Sequence, residues 1–243
     1  MLGFVSTFAV ASVALAATGG RTPKATLAQA VGNTNRAPAL RYVLDIAVTR
    51  SHEPQMRLHV QGKRGGHSLF IHVQEMSAGL AGPHQSAMID GPFLYEGSPN
   101  GVAVLGHVRW LRAPLARVGA VSKAVKTVHD LSPSPLLRLL DEWSHARTHS
   151  ANGSFHGTVA YDDPIVLTAL SGMTGGIEFR NLRFSARIGG DGYIHTVTVT
   201  GRTADGTRTL RVTARLYAFG RPVRLTPPAE GTFMDQKSQA LAE

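Results

Sequence analysis

The chain has 243 residues, 43% hydrophobic and 17% charged, which fits one large folded domain or two small ones and excludes a disordered chain. Its 25 Lys and Arg against 16 Asp and Glu give a formal net charge of +9, a balance that favours anionic partners such as phospholipid head groups or polyanions, or else reflects a compositional bias toward Arg on exposed strand faces. No cysteine is present, so disulfides, thiolate metal sites, cysteine nucleophiles and a lipidated export site are excluded.

Residues 1–20, "MLGFVSTFAVASVALAATGG", form an apolar run ending in small residues, with Ala14-Leu15-Ala16 in the A-x-A form of a signal-peptidase site. The run is short and Ala/Ser-rich for a membrane span, and no Lys or Arg precedes it. The expectation is an exported protein, periplasmic, secreted or in the cell envelope, whose first 20 residues are a signal peptide or an uncleaved anchor. Residues 21–39 read as a linker and a first element, in which Gly32 and Asn33 end a short helix early.

From Tyr42 the hydrophobic period becomes two. In "RYVLDIAVT", Tyr42, Leu44, Ile46 and Val48 share one face. "QMRLHVQGK" and "HSLFIHVQE" repeat the pattern around a Gly65-Gly66 turn. "SAMIDGPFLYEG" and "NGVAVLGHVRWLR" add strands, the second opened by an Asn100-Gly101 turn. The connections are short, so the pairing is expected to be antiparallel. "APLARVGAVSKAVKTVHD" then spaces Leu115, Val118, Val121, Val125 and Val128 as a helix. "SPSPLLRLLDEWSHAR" reads as another, with Ser134 as N-cap, Pro135 at the first position and Leu136, Leu137, Leu140 and Trp143 on one stripe.

The second half returns to strands. "GSFHGTVAYDD" leads into a short apolar helix, "DDPIVLTALSGM". Three longer strands follow, joined by "GGDG" and "ADGT" turns, and "RPVRLTPP" reads as a last edge strand. The polar tail, residues 232–243, is expected to be disordered. Nine to eleven strands in one antiparallel sheet curl rather than lie flat. The fold class is therefore α+β, a single curved antiparallel sheet, or half-barrel, wrapped around about three helices over residues 40–231.

Reactive constellations are scarce. His145 and His149 stand four apart at the end of a helix with no third ligand nearby, and read as surface residues. His59 and His72 alternate away from the apolar face and read as separate solvent-facing positions. Asp141-Glu142 lies on a polar helix face, and Asp162-Asp163 looks like a cap. Ser171 lacks the G-x-S-x-G setting, and no P-loop, H-E-x-x-H or S-x-x-K motif occurs. No cofactor is implied. The arginines recur singly, as at Arg180, Arg183, Arg187, Arg208, Arg211 and Arg215, and aromatics make up only 7% of residues, which disfavours nucleic acid.

Three stretches carry a family resemblance. "GTVAYDDPIVLTAL", "FSARIGGDGYIHTVTVTG" and "RLYAFGRPVRLTPPAEG" resemble a strand running into a short helix, paired strands around an Asp-Gly turn, and a closing strand of the LolA-like lipoprotein-carrier fold. The chain is most similar to the mycobacterial LppX/LprG type of lipid-binding lipoproteins, without their lipobox cysteine. The resemblance implies a curved sheet around helices, an apolar cavity for acyl chains, traffic outside the cytoplasm and no catalysis. The implied partner is a lipid or acylated molecule, with an anionic membrane surface as a second, the protein acting as a monomer. Candidate wall residues are Leu58, Val60, Leu69, Ile71, Val73, Val104, Val108 and Trp110 from the strands and Leu136, Leu140 and Trp143 from the helix. A filled core would use the same residues. The alternative is thus an exported structural or protein-interaction domain of the same fold with a closed core.

Overall fold

The computed structural model describes residues 23–50, 53–77, 80–97, 108–118, 123–143, 148–151, 153–159, 174 and 176–235. A helix, α1 (Pro23–Arg36), precedes five strands: β1 (Ala39–Arg50), β2 (Glu53–Gly65), β3 (Ser68–Ser77), β4 (Leu80–Asp90) and β5 (Phe93–Gly97). Then come β6 (Trp110–Pro114) and the helices α2 (Leu115–Val118), α3 (Lys123–Asp130) and α4 (Ser134–Trp143). The chain returns as β7 (Thr148–Ala151), β8 (Ser154–Val159), β9 (Arg180–Ile188), β10 (Ile194–Arg202), β11 (Arg208–Tyr217) and β12 (Phe233–Asp235). All twelve strands join one sheet in the order β12-β6-β5-β4-β3-β2-β1-β11-β10-β9-β8-β7. Every pairing is antiparallel except β12 on β6. The architecture is the expected α+β class, one large curved sheet with its helices.

Two meanders, β1–β5 and β7–β11, meet along the β1–β11 seam, in register from Arg41 opposite Tyr217 to Arg50 opposite Arg208. Period-two alternation gives the sheet two unlike faces. The inner face carries Tyr42, Leu44, Ile46 and Val48 of β1, all at 0% exposure. Leu44 is flanked by Val60 on one side and Ala214 on the other, and Ile46 by Leu58 and Val212. The row extends through Val199 and Phe184, because Val212, Val199 and Phe184 are successive partners. Against this face α1 lays Leu27, Ala30 and Val31, α3 lays Val125 and Val128, and α4 lays Leu136, Leu137, Leu139, Leu140 and Trp143. The Trp143 ring stacks on Phe184 at 4.7 Å between centroids.

Tertiary partners override local sequence at several points. Helix α1 runs through Gly32 and Asn33 to Arg36 rather than ending early. Buried Thr34 donates to the Ala30 carbonyl and accepts the Ile194 amide, tying the last turn to β10. Arg64 of β2 donates to the carbonyls of Thr34, Asn35 and Ala37, supplying donors that a helix C-terminus otherwise lacks. At the start of α4 the capping hydroxyl is Ser132, not Ser134: its Oγ accepts the Ser134 amide, and the Leu137 amide donates to Pro133. The helix expected over 113–130 starts only at Leu115, since Ala113 and Pro114 end β6 paired with β5, and comprises α2 and α3, with residues 119–122 outside the described residues.

"RPVRLTPP" is not a strand. Pro222, Pro227 and Pro228 have no amide to donate to a ladder. The edges of the sheet are instead β7 and β12, and β11 lies at its centre. The residues expected to be disordered include Phe233–Asp235, which form β12, with Arg112 gripping Asp235 through two hydrogen bonds of 2.7 and 2.9 Å. The signal stretch, the "DDPIVLTALSGM" helix with Ser171, His145 and the Asn100-Gly101 turn lie outside the described residues. No helix among the described residues is long and apolar enough to cross a membrane.

Candidate functional site

The candidate wall residues divide by depth. Val60, Leu69, Ile71, Leu136, Leu140 and Trp143 are buried. Leu58 and Val73 sit on the same inner face but are only half-buried. The ladder explains the gradient. Leu44, Val60, Val73 and Gln85 are successive partners across β1–β4, and Ile46, Leu58 and Glu75 across β1–β3. The next row runs Tyr42, Gly62, Ile71, Ala87, Glu96 and Leu111. The inner face is therefore apolar under the helices and becomes amphipathic toward β3–β5. There Gln85 donates to Glu96 at 3.0 Å in an exposed pair.

Trp110 belongs to the other face. It pairs with Gly97, whose neighbour Glu96 is the inward residue, and a Cβ on Gly97 would come within 3.3 Å of its ring. It stands with Tyr95, Arg112 and Phe233 on the outer side of β5, β6 and β12, and does not line the space faced by Ile71. The Arg112 guanidinium lies 4.8 Å from the Phe93 ring and 4.2 Å from that of Phe233, a cation–π pair that helps hold this edge. Val108 precedes β6 and is half-buried, and Val104 lies outside the described residues.

Among the described residues, two polar atoms are stranded inside. The Tyr42 hydroxyl and the Trp143 indole nitrogen are both buried with no hydrogen-bond partner. Tyr42 fits only because its neighbour across the ladder is Gly62, where a Cβ would fall 1.9 Å from the ring. Burial pushes the Tyr42 phenol well above its ordinary range, with nearby Arg64 pulling the other way, so the group stays a neutral donor. A buried donor left unpaired costs about 1–3 kcal/mol. Among the described residues, these two are the unpaired donors buried within the apolar part of the inner face. Among the described residues, no group of three or more His, Asp or Glu is arranged to hold a metal.

The outer face holds a cluster that alternation alone did not reveal. His59 Nδ1 lies 2.7 Å from Asp45, whose other oxygen accepts from Arg215 at 3.2 Å. His72 lies 2.8 Å from the Ser86 hydroxyl and stacks on His84 with centroids 5.4 Å apart. Burial, then the charges of His84 and His59, pull the His72 imidazole below its ordinary pKa. His59 and His72 are thus near neighbours, not separate surface positions. The register of β2–β3 brings them together.

Neither a family model nor a curated protein matches the chain. Solved structures of similar fold include the lipoprotein LppX of Mycobacterium tuberculosis, at 11% identity over 84% of this chain and 100% of that one, with a TM-score of 0.43. A LolA superfamily protein of Nitrosomonas europaea is similar at 10% identity over 84% of this chain and 96% of that one, with a TM-score of 0.32. A DUF1329 family protein of Desulfovibrio piger is similar at 10% identity over 83% and 94%, with a TM-score of 0.32. Each of these likenesses is distant in sequence.

Proposed function

We propose that this protein is an exported, non-enzymatic carrier that holds the acyl part of a lipid or acylated molecule against the inner face of its sheet. One observation carries the reading. The inner apolar face does not stop where the helices stop: Leu58 and Val73 continue it, half-buried, to the polar rim of Glu75, Gln85 and Glu96. That is the profile of a surface with an apolar depth and a wet mouth. A methylene leaving water for it gains about 0.8 kcal/mol, so a sixteen-carbon chain has roughly 10 kcal/mol of gross gain to set against the entropy of association. The Tyr42 hydroxyl and Trp143 nitrogen suit a guest that carries an oxygen along its length.

A closed core is the second reading, favoured by the Trp143–Phe184 stack and the full burial of Val60, Leu136 and Leu140. Titration with a fluorescent fatty acid separates the two. The carrier takes it up saturably, at about one per chain, and Leu58→Asp weakens uptake. A protein that takes up none is a closed domain.

A further inference from the structure

The outer face of β8–β11 has a chemistry of its own. These four strands contain seven arginines and no Asp or Glu. The ladder sets Thr158, Arg183, Thr200 and Arg211 side by side in one row, and Ser154, Arg187, Thr196 and Arg215 in another. Between them lies a row of hydroxyls from Ser185, Thr198 and Thr213. Strand spacing puts Arg183 and Arg211 about 10 Å apart and the two rows about 13 Å apart.

This face is not flat. The β9–β10 register slips between Thr200 and Arg202, and Asn181 takes a left-handed φ of 51°, a conformation that Asn tolerates. Beside the slip is an open hollow of about 960 Å³ in which Arg183, Arg202 and Arg211 converge with Thr158, Thr200 and Thr209. No acidic residue lines it. Arg112 and Arg215 are paired with carboxylates, whereas these three arginines have no ion-pair partner among the described residues. Asp205 in the β10–β11 turn does not line the hollow, and its carboxylate is occupied by Thr203 and Thr207.

We propose that the outer face of β8–β11 docks on an anionic lipid bilayer, with phosphorylated head groups entering the hollow between Arg183, Arg202 and Arg211. Guanidinium forks and hydroxyl donors are the groups that bind phosphate oxygens; here the three guanidiniums have no carboxylate partner among the described residues, while the Thr209 hydroxyl already shares a hydrogen bond with Thr49 of β1. No aromatic side chain lines the hollow, which argues against stacked nucleobases. Tyr217, 45% exposed and two residues beyond Arg215 on the same face, is a side chain suited to the head-group level of a membrane. The docking does not depend on acyl uptake, since it uses the opposite side of the sheet.

Co-sedimentation with phosphatidylglycerol vesicles and with phosphatidylcholine vesicles tests it, at low and at physiological salt. The wild-type chain binds the anionic vesicles, more weakly as salt rises, and not the zwitterionic ones. At roughly fivefold per arginine, the variant R183Q/R202Q/R211Q binds about 100-fold more weakly while its melting temperature is unchanged. The control R109Q/R138Q/R221Q removes the same charge from exposed positions elsewhere and keeps most of the affinity. Equal binding by the hollow variant overturns the proposal. So does an equal loss in the control, which makes net charge the cause, or wild-type binding to heparin but not to vesicles, which makes a soluble polyanion the partner. If fatty-acid uptake fails while vesicle binding follows this pattern, the carrier reading falls and the docking face stands.

Discussion

On the flank of the sheet formed by β1, β10 and β11, the inward residues Leu44, Ile46, Val199 and Val212 have no exposure at all. On the flank formed by β2–β5, Leu44 is followed by buried Val60, half-buried Val73 and then Gln85, and Ile46 by half-buried Leu58 and then Glu75. The two flanks share one strand pattern and one face. They differ in what sits opposite: α1 and α4 lie over the first, with Trp143 stacked on Phe184, while α3 lies over β3 and β4 of the second, which runs out beyond it to a polar rim. Burial on the first flank stabilises the fold. On the second flank Val60, Ile71 and Leu94 do the same, whereas half-buried Leu58 and Val73 contribute less.

Substitutions that treat the flanks as different should behave differently. Leu140→Ala, at 0% exposure, is expected to lower unfolding stability by about 3 kcal/mol, and Leu58→Ala by about 1 kcal/mol. Urea melts read both, and equal losses would abolish the distinction. Gly62→Ala, at the boundary, drives a methyl group into the Tyr42 ring and should cost about 2 kcal/mol by the same melts. Tyr42→Phe removes the unpaired hydroxyl without changing the ring, and should stabilise the empty protein by about 1 kcal/mol. If that hydroxyl holds a guest oxygen, the same change weakens fatty-acid binding, so its sign in the two assays is opposite.

The smallest effect is one of pH. His72 is held below its ordinary 6.5, chiefly by burial. The unfolded chain therefore takes up the proton first as pH falls through about 6.5, and stability declines on acidification from there. His72→Asn should flatten that part of the stability profile between about pH 7 and 5. A profile identical to wild type would show that His72 does not carry the dependence.

Much of the fold was legible because period-two alternation is strong from Tyr42 to Val73 and again from Leu182 to Leu216. The burial of Val60 and Ile71 was legible for the same reason, and that of Leu136 and Leu140 from their helical spacing. What alternation cannot supply is which face of one strand meets which face of the next. Trp110 was misplaced on that account, since only its pairing with Gly97 assigns it outward. The histidine cluster was hidden similarly: His59, His72 and His84 are neighbours only once β2, β3 and β4 are in register. Helix α1 outran its glycine because Arg64 and Ile194, partners distant in sequence, hold its end at Thr34. "RPVRLTPP" alternates but has no strand to pair with, and alternation without a partner is not a strand.

Native mass spectrometry of the mature protein, purified without detergent or added lipid, tests the central claim most directly. The account predicts a fraction of chains heavier by the mass of one acyl-bearing lipid, lost on organic extraction and restored by adding fatty acid. A single species at the bare polypeptide mass, unchanged by added fatty acid, would contradict it.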